Sequence, residues 1–160
     1  MEKGGRPQVA VWLDGVSPPA WLDSALAPLS FDIRDVGPWP GDLGGSDASE
    51  PLRWLASRTR GALVLGLTRR SVLDAGGIPL RGLSRFGEGV ALVTGHGLDA
   101  LHPDGVVRHE MGHALGLPHC ADPACTLSER VWPAGADDRP PAFCDRCAAL
   151  WQNRASGVSS

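Results

Sequence analysis

A chain of 160 residues, 42% of them hydrophobic and 21% charged, is long enough for one domain with a proper core. A formal net charge of -3 without any basic run excludes nucleic acid as the main partner, because phosphate binding needs clustered Lys and Arg. No stretch approaches the ~18 consecutive apolar residues of a membrane span, and 21 Gly with 14 Pro in no fixed period indicate many tight turns rather than low complexity.

The first residues, Met-Glu-Lys-Gly-Gly-Arg-Pro, lack the apolar run of a secretory leader. The expected compartment is therefore the cytoplasm. There the four cysteines are reduced thiols or metal ligands rather than disulfides. Segments 1–7 and 157–160 are expected to be flexible ends.

Gln8–Leu13 is a nearly continuous apolar run and reads as a buried strand. Ser17-Pro18-Pro19 is expected to cap and open a helix, with Trp21, Leu22, Ala25, Leu26 and Leu29 at helical spacing and Pro28 at its end. Phe31–Val36 alternates apolar and charged residues as a half-buried strand does. This β-α-β order favours a parallel pair with a right-handed crossover. Residues 37–49 form a loop rich in Gly, Pro and Asp. Glu50–Arg60 reads as a helix and Gly61–Leu67 as a third buried strand, which repeats the crossover.

Ser71–Gly77 reads as a loop or short helical turn. Leu80–Phe86 and Val90–Thr94 flank Gly87-Glu88-Gly89 and predict a hairpin. Such a hairpin leaves one antiparallel strand at the sheet edge, where an extended peptide can add itself. His96 falls in a loop and His102 precedes Pro103, which with Asp104 starts the next helix. That helix runs to about Leu115, and Gly116 stops it. Residues 121–141 are expected to be irregular and Phe143–Arg154 helical. The fold class is α/β, one compact domain over 1–160, with a mixed, mostly parallel sheet.

Two features carry chemistry. The first is His109-Glu110-x-x-His113-x-x-Gly116-x-x-His119. Residues four apart share a helix face, so His109 and His113 present two imidazoles to one ion. A straight helix cannot bring His119 to them, and Gly116 is suited to the chain reversal that can. Three protein ligands and an open position make a catalytic zinc site. Glu110 is the natural general base for water at that ion. Tyrosine is absent from the chain, so no tyrosine serves as a further ligand or oxyanion donor.

The second feature is Cys120-x4-Cys125 followed by Cys144-x2-Cys147. Paired thiols separated by a loop have the pattern of a closed, four-sulfur structural zinc. That ion would staple segment 120–147 to the catalytic region.

From His109 to Cys147 the sequence resembles the archaemetzincins, a family of metzincin-like zinc peptidases. Their pattern is His-Glu-x-x-His-x-x-Gly-x-x-His-Cys-x4-Cys-x-Met, with a later Cys-x-x-Cys. His109 through Cys125 matches it throughout, and Cys144 and Cys147 complete it. The departure is Leu127, which stands where the family has the methionine of its Met-turn. Leu and Met are close in volume, so the apolar floor can persist.

The resemblance implies a compact metzincin-like fold with a twisted sheet over the active-site helix. It implies two zinc ions per chain, one held by His109, His113 and His119 and one by Cys120, Cys125, Cys144 and Cys147. It also implies hydrolysis of peptide bonds. The expected substrate is a peptide or protein, and the expected state is a monomer. The alternative is a catalytically impaired zinc protein that binds peptides or a protein partner in the same cleft.

Overall fold

The computed structural model describes residues 8–27, 29–35, 49–58, 63–74, 76–129 and 140–156. The expected flexible ends (1–7 and 157–160), most of the 37–49 loop and much of the irregular 121–141 stretch lie outside these.

Five strands form one sheet in the order β2-β1-β3-β7-β6. They are β1 (Gln8–Asp14), β2 (Ser30–Asp35), β3 (Leu63–Thr68), β6 (Gly82–Arg85) and β7 (Val90–Val93). β2, β1, β3 and β7 are parallel. β6 runs antiparallel to β7 along the edge, with Gly82 opposite Val93 and Arg85 opposite Val90. The expected parallel pairs and the hairpin are both present.

Side-chain alternation explains why the centre of the sheet is apolar throughout. Leu63, Leu65, Leu67, Ala91 and Val93 point into one core, together with Val9, Val11 and Leu13. Val64, Val90 and Leu92 point into a second core on the other face. Both faces are covered, as a parallel sheet requires. Helix α2 (Ser49–Ala56) covers the second core with Leu52 and Leu55. The first core is closed by α1 (Leu22–Leu26), α4 (Pro103–Ala114) and α5 (Asp145–Ser156). α5 is fastened by Trp151, whose indole N–H donates to the Ala27 carbonyl at 2.7 Å.

Four local expectations need correction. α1 begins at Leu22 with no side-chain cap, so Ser17 does not open it. The prolines at 18 and 19 delay the helix, which takes its first bond from Leu22 N to Pro19 O at 3.1 Å. Residues 71–77 are not a plain loop, because β4 (Val72–Leu73) pairs antiparallel with β5 (Pro79–Leu80) in a small ribbon. The run Leu80–Phe86 is consequently split, its first residue in that ribbon and Gly82–Arg85 in the main sheet. His96 lies in a short helix, α3 (Gly95–Leu98), capped by the Thr94 hydroxyl. No helix among the described residues is long and apolar enough to cross a membrane.

Candidate metal centres

α4 starts as its sequence requires, with Pro103 in the first turn and Asp104 accepting from Arg108 at 3.3 Å one turn on. It buries Val106, Val107, Met111 and Ala114. Its end is a Schellman motif. Leu117 N donates to Gly112 O at 2.8 Å and Gly116 N to His113 O at 2.9 Å, with Gly116 at φ +89°. That reversal brings His119 back towards the helix.

Ligand nitrogens of His109, His113 and His119 lie within 4.8 Å of one another. The Nε2 atoms of His109 and His113 are 3.2 Å apart. Two nitrogens bound at ~2.05 Å to a tetrahedral zinc stand roughly 3.3–3.4 Å apart, so the pair fits that ion. The opposite nitrogens are tied to backbone carbonyls. His109 Nδ1 is 2.8 Å from Thr126 O, and His113 Nδ1 is 2.8 Å from Leu117 O. Nδ1 donating to a carbonyl makes Nε2 the ligating atom, the usual arrangement behind a metal-bound histidine. His109 is buried, whereas His119 is exposed.

Three neighbours complete this region. The β6–β7 turn bonds to the end of α4, Gly87 N to His113 O at 2.9 Å and Gly89 N to Ala114 O at 3.0 Å. The Phe86 ring, 58% exposed, lies 6.0 Å from the His113 ring. Glu110 projects towards edge strand β6, where a Cβ at Gly82 would stand 2.9 Å from its Oε2.

Leu127 is fully buried beneath the helix, against Gly112, where a Cβ would stand 3.0 Å from Leu127 Cδ2. A Cβ at Gly105, two turns earlier on the same face, would stand 3.0 Å from the Pro140 carbonyl oxygen and 3.4 Å from Thr126 Oγ1. The Thr126 hydroxyl donates to Gly105 O at 2.9 Å. The loop that supports His109 thus seats itself in two glycine notches of α4. The notches have a sequence signal, since a helix-interior glycine costs about 1 kcal/mol and usually marks a close approach.

The sulfurs of Cys120, Cys125, Cys144 and Cys147 also lie within 4.8 Å of one another. Cys120 Sγ and Cys144 Sγ are 3.8 Å apart. That matches roughly 3.8 Å for two sulfurs bound at ~2.3 Å to a tetrahedral zinc. Backbone N–H groups point at the thiols, from Asp122 to Cys120 at 3.5 Å and from Leu127 and Cys144 to Cys125 at 3.4 and 3.3 Å. The Asp122 N–H is the main reason the Cys120 thiol is held at about 7. Burial pushes Cys125 and Cys147 the other way. Four such thiols cannot all ionise side by side without a cation among them, which is the condition a divalent metal meets. The Arg146 guanidinium donates to Cys120 Sγ at 3.6 Å.

A sequence model of peptidase family M54 matches residues 104–153, the segment holding both sets of ligands. The archaemetzincin of Methanopyrus kandleri is 41% identical over 46 residues, 29% of this chain and 26% of that protein. The archaemetzincin of Pyrobaculum aerophilum is 39% identical over 41 residues, 26% of each. The matched stretch therefore spans about a quarter of these curated relatives. Similarity of fold extends further. The crystal structure of the Methanopyrus kandleri archaemetzincin superposes with a TM-score of 0.70 at 21% identity, over 96% of this chain and 98% of that one. A zinc-dependent peptidase from Methanocorpusculum labreanum gives 0.69 at 20% identity, over 89% and 99%. In sequence the likeness to peptidase family M54 covers the ligand-bearing segment, and in fold the likeness to the archaemetzincins covers nearly all of the chain.

Proposed function

We propose that the protein is a zinc-dependent peptidase in which His109, His113 and His119 hold a catalytic zinc and Glu110 is the general base. The observation that carries this is the convergence of three imidazoles, two of them oriented by backbone carbonyls, with a carboxylate next to the first on the same helix. When bound, zinc supplies Lewis acidity and makes a water acidic near neutral pH. Glu110 takes the proton of the attacking water on a carboxylate oxygen and returns it to the amine that leaves. His119, exposed to solvent, keeps the ligand set open on the side from which a substrate approaches. Edge strand β6 offers backbone groups to an extended peptide beside Glu110.

Cys120, Cys125, Cys144 and Cys147 hold a second, structural zinc. Four sulfur ligands leave no open position. The role of that ion is to fix the loop after His119, and with it Leu127, under the helix.

The test measures metal and turnover together. Purified protein should carry two zinc ions per chain, cleave short peptides, and lose cleavage to a chelator. Glu110→Gln should keep both ions and stop turnover. Equal turnover in Glu110→Gln would refute the assignment of the base. Peptide binding without hydrolysis would favour the impaired, peptide-binding protein instead.

A further inference from the structure

Gly82 opens the edge strand β6, paired with Val93 of β7. A Cβ there would stand 2.6 Å from Glu110 Cγ, 2.9 Å from Glu110 Oε2 and 2.9 Å from the Leu92 carbonyl oxygen. Non-bonded carbons rest at roughly 3.5–4.0 Å, so the space is already filled by the glutamate. A glycine within a strand often marks a close approach by another group. Here the approaching group is the carboxylate next to His109.

Neither wall can withdraw to admit a side chain. The β6–β7 hairpin is bonded to α4 through Gly87 N and Gly89 N, which tie strand and helix together at their far end. β6 is held at Gly82 by its pairing with β7. α4 is held from below, where Leu127 fills the notch at Gly112. Of the groups a Cβ would meet, the Leu92 carbonyl is backbone, and the Glu110 side chain is the one that can rotate away.

We propose that Gly82 is a positioning residue for Glu110, its bare backbone allowing the carboxylate to lie across the edge strand on the metal side of α4. Any side chain at 82 turns that carboxylate away while leaving the three histidines in place. The proposal rests on the reading of Glu110 as the base.

The test compares Gly82→Ala with wild type and with Glu110→Gln in the zinc-loaded full-length protein. Zinc per chain, the thermal midpoint and the visible spectrum after cobalt substitution report on the ligand set. Acetohydroxamate, titrated through the cobalt spectrum, reports on the carboxylate, because the hydroxamate passes its O–H proton to a neighbouring base as it binds the metal. Gly82→Ala should keep zinc content, cobalt spectrum and KM, the last within about twofold, while kcat falls at least about tenfold. Acetohydroxamate affinity should fall about tenfold. Adding Gly82→Ala to Glu110→Gln should weaken it no further, because the two residues act as a unit. Unchanged kcat and hydroxamate affinity would overturn the proposal. So would losses that follow zinc content or thermal midpoint, or additive losses in the double variant. If the wild type fails to turn over peptides, the peptidase reading fails, and the hydroxamate comparison still decides the role of Gly82.

Discussion

The histidine set takes two side chains from one helix and a third, exposed, from the loop beyond Gly116. The cysteine set takes its thiols from two loop positions and the start of α5, and three of the four are buried. Two of the histidines, His109 and His113, are oriented from behind by carbonyl oxygens, and the third, His119, is exposed. Cys120 and Cys125 receive backbone N–H groups directly on sulfur. One set is shaped to let something approach, and the other to keep everything out. His119 and Cys120 are adjacent, so the closed set braces the open one.

That contrast can be broken by experiment, and the largest effect belongs to the open set. Glu110→Gln should lower kcat by at least about a hundredfold with both zinc ions retained, as peptide kinetics and metal analysis would show. Cys147→Ser, at the closed set, should remove one zinc and cost about 3–5 kcal/mol of stability in denaturant unfolding. Activity should fall in that variant only through loss of structure, so added osmolyte should restore part of it.

Between the two sets lies Leu127. Leu127→Ala should cost about 2–5 kcal/mol, whereas Leu127→Met should cost less than about 1.5 kcal/mol. If the methionine variant raised kcat severalfold without a change in stability, the floor would belong to the open set rather than to the fold. The smallest effect on stability is expected at the exposed Phe86. Phe86→Ala should move the thermal midpoint little, by about 0.5 kcal/mol at most. It should raise KM for apolar peptides by up to about tenfold, through lost contact beside His113.

The parts of this protein legible in its sequence are those written in local spacing. The central strands are legible because two covered faces select apolar residues at successive positions, as Leu63–Leu67 of β3 illustrate. The candidate metal-ligating residues are legible because imidazoles one turn apart and thiols in close pairs are rare without an ion. The 71–80 ribbon is not legible in the sequence, because two residues per strand carry too little pattern. Ser17 and its prolines imitate a helix start that the chain postpones to Leu22.

By itself the sequence determined the donor atoms, their grouping and the point of chain reversal, since each depends on neighbours within a few turns of the chain. Tertiary structure decided which groups aim them. The carbonyl of Thr126 stands behind His109, Leu127 fits the notch at Gly112, and Gly82 lies against Glu110 from a strand far away in the chain. These contacts join residues whose local patterns are independent of each other. Only close packing of helix, loop and edge strand makes one depend on another.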